Sequence, residues 1–202
     1  MSLIERLHND YICPRRVRQL CDHLTELIPQ NAQVLDVGCG DGLLTALLSQ
    51  RRPDLQVRGI DIVIRDHTYV PVGAFDGQVL PRGDAMCDVV MFVDVLHHTE
   101  NPMCLLREAV RVARQAIIIK DHTRNGLFAG TTLRLMDYIG NARFRVALPY
   151  NYWPQEQWLA AFETLNLHRS VWKQDLQLYP YPANWVFERS LHFIARLERG
   201  RA

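Results

Sequence analysis

The chain has 202 residues, 48% hydrophobic and 22% charged, with a formal net charge of +1. That is enough for a single domain (1–202) with a full apolar core, and it excludes a disordered or low-complexity protein. The near-zero charge gives no field to steer nucleic acid, and no apolar run approaches the ~20 residues of a membrane span.

The opening residues, Met1 to Arg6, hold no apolar signal core. Five cysteines (Cys13, Cys21, Cys39, Cys87, Cys104) form no Cys-x-x-Cys pair. Together these predict a cytoplasmic protein in a reducing compartment and argue against a disulfide scaffold or a zinc site.

In chain order, an N-terminal helical segment lies within 1–30, where Val17, Leu20, Cys21, Leu24, Leu27 and Ile28 fall at helical spacing before Pro29. A strand over 33–37 breaks into the turn Gly38-Cys39-Gly40-Asp41-Gly42, and a helix over 43–50 follows. Glycines between strand and helix let backbone N–H groups and a helix N-terminus approach a ligand closely. Their spacing is Gly-x-Gly-x-Gly, which differs from the Gly-x-Gly-x-x-Gly of dinucleotide-binding folds. A second strand is predicted over 55–61, a short third near 72–75, and a fourth over 88–94, apolar throughout as in a strand buried on both faces. Asn101 and Pro102 open a helix to about 113 as N-cap and first residue, and a fifth strand spans 116–119. A helix over 154–166 then precedes two extended segments, 167–178 and 185–197, joined by the turn-rich Tyr179-Pro180-Tyr181-Pro182. Alternating strands and helices imply a doubly wound parallel sheet.

The string from Val34 to Gly42 resembles the first motif of class I S-adenosylmethionine-dependent methyltransferases. The resemblance runs from about residue 30 to the end, by motif as far as 122 and by architecture beyond. It implies a Rossmann-like seven-stranded sheet, mostly parallel and closed by a C-terminal antiparallel hairpin. It also implies cofactor roles at Asp36, Gly38, Cys39 and Gly40 for the methionine part, Asp61 for the ribose hydroxyls and Ile62 against the adenine. Phe75-Asp76-Gly77-Gln78-Val79-Leu80-Pro81 resembles the family's acid four places before Leu-Pro, which makes Asp76 the adenine acceptor and Gly77 the amide donor. Asp84 competes for that role but reads as a surface turn residue. The end of the fourth strand, Val93 and Asp94, supplies backbone for the cofactor's amino group. The following Leu96-His97-His98 resembles the small-molecule branch that includes ubiquinone and menaquinone biosynthesis enzymes.

Methyl transfer needs an aligned nucleophile and, for a hydroxyl or an acidic carbon, a base. His98, Asp121 and His122 are the base candidates, because both strand ends that carry them should open on one rim. No metal site is predicted: neighbouring histidines rarely point the same way, and no third ligand sits at metal spacing.

Residues 123–153 exceed what the connection requires and read as a lid. Within them Leu127, Leu135 and Ile139 share a helical face, Gly140-Asn141 is a plausible stop, and Gly126, Gly130 and Gly140 are candidate hinges. Phe128, Met136, Tyr138, Phe144, Tyr150, Tyr152 and Trp153 could line an apolar pocket, and Arg143-Phe144-Arg145 could meet an anion. With a rigid lid, substrate would enter past Tyr11.

The expected activity is methyl transfer to a small apolar or aromatic acceptor at oxygen or carbon, with oligomeric state left open. Nucleic acid is not an expected partner. The fourth strand ends in Asp94-Val95-Leu96 and not in Asn/Asp-Pro-Pro-aromatic, Asn101-Pro102-Met103 falls seven residues late, and no Pro-Cys pair is present. The remaining alternatives are a nucleic-acid or protein methyltransferase and a catalytically silent cofactor-binding subunit, since a cofactor motif reports binding and not turnover.

Overall fold

The central strands are apolar on both faces, so helices must cover each side of the sheet they form. The computed structural model describes residues 12–141 and 149–200. Tyr11 and the Arg143-Phe144-Arg145 triplet lie outside the described residues. The elements are helix α1 (Cys13–Leu27), strand β1 (Gln33–Val37), α2 (Leu43–Arg51), β2 (Gln56–Asp61), β3 (Val72–Ala74) and β4 (Cys87–Val93). A 3-10 turn (Leu96–His98), α3 (Pro102–Val112), β5 (Ala113–His122) and α4 (Ala129–Asn141) follow. The chain then continues through α5 (Gln155–Thr164), β6 (Leu167–Lys173), the short α6 (Asn184–Phe187) and β7 (His192–Arg199).

One seven-stranded sheet runs β3-β2-β1-β4-β5-β7-β6. Strands β1 to β5 pair in parallel, and β7 is antiparallel to both β5 and β6. The doubly wound, mostly parallel sheet with a closing antiparallel pair is therefore the observed fold. Its layers follow from the period of two along each strand. Val34, Val89, Met91, Ala116 and Ile118 pack with Leu20, Leu24, Leu27 and Leu48 of α1 and α2. Their neighbours Leu35, Val37, Val90, Phe92, Ile117 and Ile119 pack on the other face with Leu105, Leu106, Trp158 and Phe162 of α3 and α5.

Register brings the carboxyl ends of the parallel strands to one rim. Val37 pairs with Ile60 and Phe92, and Val93 pairs with Lys120. The glycine turn, Asp61, Asp94 and the end of β5 at His122 thus lie along a single edge, where open parallel sheets bind ligands.

Three expectations change. β5 extends three residues past 119, so Lys120, Asp121 and His122 are strand residues whose side chains are buried. The segment 174–183 is not extended: Leu176, Leu178 and Tyr179 sink into the α1 face of the core, and Trp185 belongs to α6, so β7 starts only at His192. In α4 the buried stripe is Ala129, Leu133 and Asp137, whereas Leu135 is half-exposed and Leu127 fully exposed. The helix itself runs to Asn141.

Candidate functional site

Gly38 and Gly40 adopt φ of 73° and 63°, conformations that glycine enters without the penalty a Cβ brings. At Gly38 a Cβ would also come within 2.5 Å of Val95. The turn is held against β2, because the N–H groups of Gly38 and Cys39 both donate to the Ile60 carbonyl at 2.8 and 3.1 Å. Asp61 completes the tie. Its Oδ2 accepts from Gly40 N at 2.8 Å and its Oδ1 from Val63 N at 2.9 Å. Each oxygen has further lone-pair capacity, so a pair of hydroxyls can still bond to it. In the next loop Asp76 accepts from the N–H groups of Val79 and Gln78, both on Oδ1 at 2.8 Å, and these bonds lower its pKa.

These loops surround a cavity of about 570 Å³, within the range of ligand pockets. Gly38, Gly40, Asp61, Ile62, Asp76, Gly77, Asp94 and His98 line it. Asp36, Cys39, Val93, Asp121 and His122 stand off its wall. Asp36 is buried behind the glycine turn, where Thr45 Oγ1 donates to its Oδ2 at 2.6 Å, and burial pushes its pKa up to about 6. Burial, with the charges of Asp36 and Asp61, pushes the Cys39 thiol up to about 12. Asp84 is exposed and paired with Arg111 at 2.9 Å, as a surface turn residue. Asn101 occupies the N-cap of α3 but makes no side-chain cap bond, and it lines the cavity.

Asp94 is the point where two sets of contacts meet. Its φ is 57°, strained for a residue with a side chain. Its carboxylate pairs with Lys120 Nζ, with Arg16 at 3.2 Å and with His122 Nε2 at 3.3 Å. Burial opposes its charge, but Lys120 and Arg16 hold it well below the usual carboxylate range. Lys120 also donates to His192 Nδ1 at 3.2 Å, while His192 Nε2–H donates to the Phe187 carbonyl at 2.9 Å.

The three base candidates separate sharply. His98 lines the cavity, and burial with the charge on His97 lowers its pKa to about 4, leaving a neutral imidazole. His122 is buried, and burial with Lys120 and His97 keeps it neutral. Asp121 is a structural pin. Its Oδ2 accepts from Leu96 N at 3.0 Å, and its Oδ1 accepts from His97 Nδ1–H at 2.6 Å and from His122 N at 2.7 Å.

Sequence reasoning missed the partners of His97. Burial alone would lower its pKa, but Asp121 and Asp137 raise it to about 10. Its Nε2 lies 3.4 Å from Asp137 Oδ2 without hydrogen-bond alignment. Asp137 accepts from Tyr152 Oη, and although burial opposes its charge, His97 brings its pKa to about 2. The signal for Asp137 was present: an acid four residues after Leu133, on the stripe of α4 that is buried. The described residues of 123–153 meet the site from behind. Asn151 N donates to the His97 carbonyl at 3.2 Å, and Asn151 Nδ2 donates to that of Thr99 at 3.0 Å. Among the described residues of that segment, none lines the cavity.

Comparison with known proteins agrees with this architecture. A 27-O-demethylrifamycin SV methyltransferase of Amycolatopsis mediterranei is 30% identical over 131 residues, 54% of this chain and 48% of that protein. A ribosomal RNA small subunit methyltransferase G of Kineococcus radiotolerans is 35% identical over 86 residues, 37% of this chain and 34% of that protein. The matches thus span about half the length of the first relative and about a third of the second. The structure of a SAM-dependent methyltransferase from Aquifex aeolicus superposes with a TM-score of 0.62 at 15% identity, covering 96% of this chain and 97% of that one. The fold is that of class I S-adenosylmethionine-dependent methyltransferases. A family model described as methionine biosynthesis protein MetW matches residues 18–169, and the chain belongs to that family.

Proposed function

We propose that the protein transfers a methyl group from S-adenosylmethionine to a small apolar or aromatic acceptor at oxygen or carbon. The observation that carries this reading is the convergence of the Gly38–Gly40 turn, Asp61, the Asp76-Gly77 loop and Asp94 on one cavity. The donor set fits the cofactor. Asp61 offers its carboxylate to the ribose diol, Ile62 an exposed apolar side chain to the adenine, Asp76 and Gly77 a carboxylate and an amide to the adenine edge, and the turn a close backbone approach to the methionine part. When bound, the cofactor supplies an electrophilic methyl group. The chain's task is then to exclude water, align the acceptor and receive its proton.

His98 is the group on the wall suited to that last step. At a pKa of about 4 it is neutral at physiological pH but a weak base. That suits acceptors whose proton is already acidic, such as phenols or activated C–H groups.

Calorimetry with S-adenosylmethionine and its demethylated product tests the first half of the reading, with a nicotinamide cofactor as the silent control. Asp61→Ala should lower affinity by about 1.5–3 kcal/mol, the scale of a charge-assisted hydrogen bond; unchanged affinity refutes the ribose assignment. A panel of phenols, apolar carbon acids and ribosomal RNA fragments tests the second half. Turnover on RNA alone would overturn the small-acceptor assignment. Tight cofactor binding with no turnover on any class would favour the silent-subunit reading.

A further inference from the structure

We propose that His97, His98 and Asp137 form a binding site for one borderline divalent metal ion, such as Zn²⁺, beside the cofactor cavity. Nitrogen or oxygen ligand atoms of the three residues lie within 4.8 Å of one another. They come from two places in the chain: the 3-10 turn after β4 and the buried stripe of α4. Both His97 Nε2 and His98 Nδ1 are buried nitrogens with no hydrogen-bond partner among the described residues, and His97 as a whole is 1% exposed. On the neutral His98 such a nitrogen without a partner is costly, and a cation beside it would satisfy it while replacing the proton that links His97 to Asp137.

The surroundings are those of a metal site. A ligating histidine characteristically donates its other ring N–H to a carboxylate, which fixes the tautomer and leaves the second nitrogen basic. His97 does so: Nδ1–H donates to Asp121 at 2.6 Å, and an ion would displace the second proton, which the metal-free imidazolium holds on Nε2 toward Asp137. The carboxylate ligand is also oriented, since Asp137 accepts from Tyr152 Oη. Two imidazoles and one carboxylate suit zinc and its neighbours better than the all-oxygen shells of Mg²⁺ or Ca²⁺. Tetrahedral ligands at about 2.1 Å from an ion stand roughly 3.4 Å apart, so binding requires the cluster to close by about 1 Å. The alternative cluster Asp94, His97 and His122 is rejected on charge, because Lys120 and Arg16 already neutralise Asp94.

Three protein ligands leave coordination positions open. His98 carries the site to the cavity wall; in the metal-bound form it is a ligand and not the base, and an ion there would meet an oxygen donor of the acceptor and lower its pKa. That role rests on the methyl-transfer reading, whereas ion binding does not. The test therefore omits the cofactor. The full chain is stripped with chelator, shown folded by near-ultraviolet circular dichroism, and titrated with Co²⁺ followed by visible absorption and with Zn²⁺ followed by calorimetry. One equivalent should bind, with the d–d bands of low-coordinate Co²⁺. His98→Ala and Asp137→Asn should each weaken binding at least tenfold, and Asp121→Asn by about 10–100-fold through the positioning bond. His98→Gln keeps the bulk of the ring if the alanine variant does not fold. Absence of uptake, or uptake that none of these substitutions changes, overturns the site. Cofactor calorimetry on the stripped protein separates that outcome from failure of the methyl-transfer reading.

Discussion

Asp61 and Asp94 end strands on either side of β1 and line the same cavity, but their charges are met by different means. Asp61 is held by backbone N–H groups, one two residues ahead at Val63 and one from Gly40 in the turn after β1. Asp94 is held by side chains from α1 and β5, Arg16 and Lys120, with His122 beside it. The first arrangement uses backbone donors and is partly solvated, and it leaves the carboxylate able to take a ligand. The second is a buried network drawn from across the chain, in which each charge exists because its partners do. Binding and stability should therefore separate on the Asp61 side of the cavity and be inseparable on the histidine side.

The strongest test removes one member of the network. Lys120 is fully buried, so Lys120→Met leaves Asp94 with a weakened counter-charge. Breaking a buried pair from one side costs about 3–5 kcal/mol, and urea unfolding should show a loss on that scale. Pairing it with Asp94→Asn should recover part of the loss; strict additivity of the two changes would show that they are not coupled. Asp36 gives the next largest effect, read through pH. Its folded pKa, about 6, lies above the ordinary 3.8, so the folded state holds a proton that the unfolded chain releases. Its contribution is most favourable below pH 4, is lost as pH rises toward 6 and stays lost above. Asp36→Asn keeps an oxygen for Thr45 and removes the titration. Relative to the parent, the variant should gain about 3 kcal/mol between pH 4 and pH 7. A difference independent of pH would show that Asp36 is not buried as a protonated acid. Asp61→Asn should contrast with Lys120→Met: its single amide oxygen can accept from only one of Gly40 and Val63, so it costs about 1–2 kcal/mol of stability, less than Lys120→Met, and still weakens the cofactor. Loss of stability comparable to that of Lys120→Met would erase the contrast between the two sides.

The same contrast explains what could be read from the sequence. β1 and β4 are mostly apolar runs ending in turn chemistry, the glycine turn is a contiguous motif, and Asp76 is fixed by Gln78 and Val79 close by in the chain. Such features depend on local rules. β5 overran its predicted end because Lys120, Asp121 and His122 look like loop residues, and only partners from α1, the 3-10 turn and β7 make their burial tolerable. The segment after β6 was read as strand because Leu176 and Leu178 alternate with polar residues. Its backbone is instead bonded by side chains: the Leu176 carbonyl lies 3.0 Å from His23 Nε2, that of Gln177 accepts from Arg15 at 3.2 Å, and Leu178 N donates to Glu188. Asp137 escaped notice for a related reason, since an acid on an apolar stripe becomes intelligible only once His97 and Tyr152 are beside it.

The smallest expected effect lies in α4, where the predicted and observed apolar faces differ. The sequence offers Leu127, Leu135 and Ile139 as one stripe, but the structure buries Leu133 completely against Tyr152, Ala129 and Leu191 and leaves Leu135 50% exposed. Those two leucines are two residues apart, about 200° around a helix, so only one can face the core. Leu135→Ala should change stability by no more than about 0.5 kcal/mol, whereas Leu133→Ala should cost about 2–5 kcal/mol by leaving a cavity beside Tyr152. Tyr152 also bonds Asp137, so the loss at Leu133 should loosen the hold on His97, and hydrogen exchange in α4 should rise in that variant alone. Equal effects at the two leucines, or a larger one at Leu135, would mean that α4 packs through the face its sequence first suggests. Asp137 would then turn away from His97.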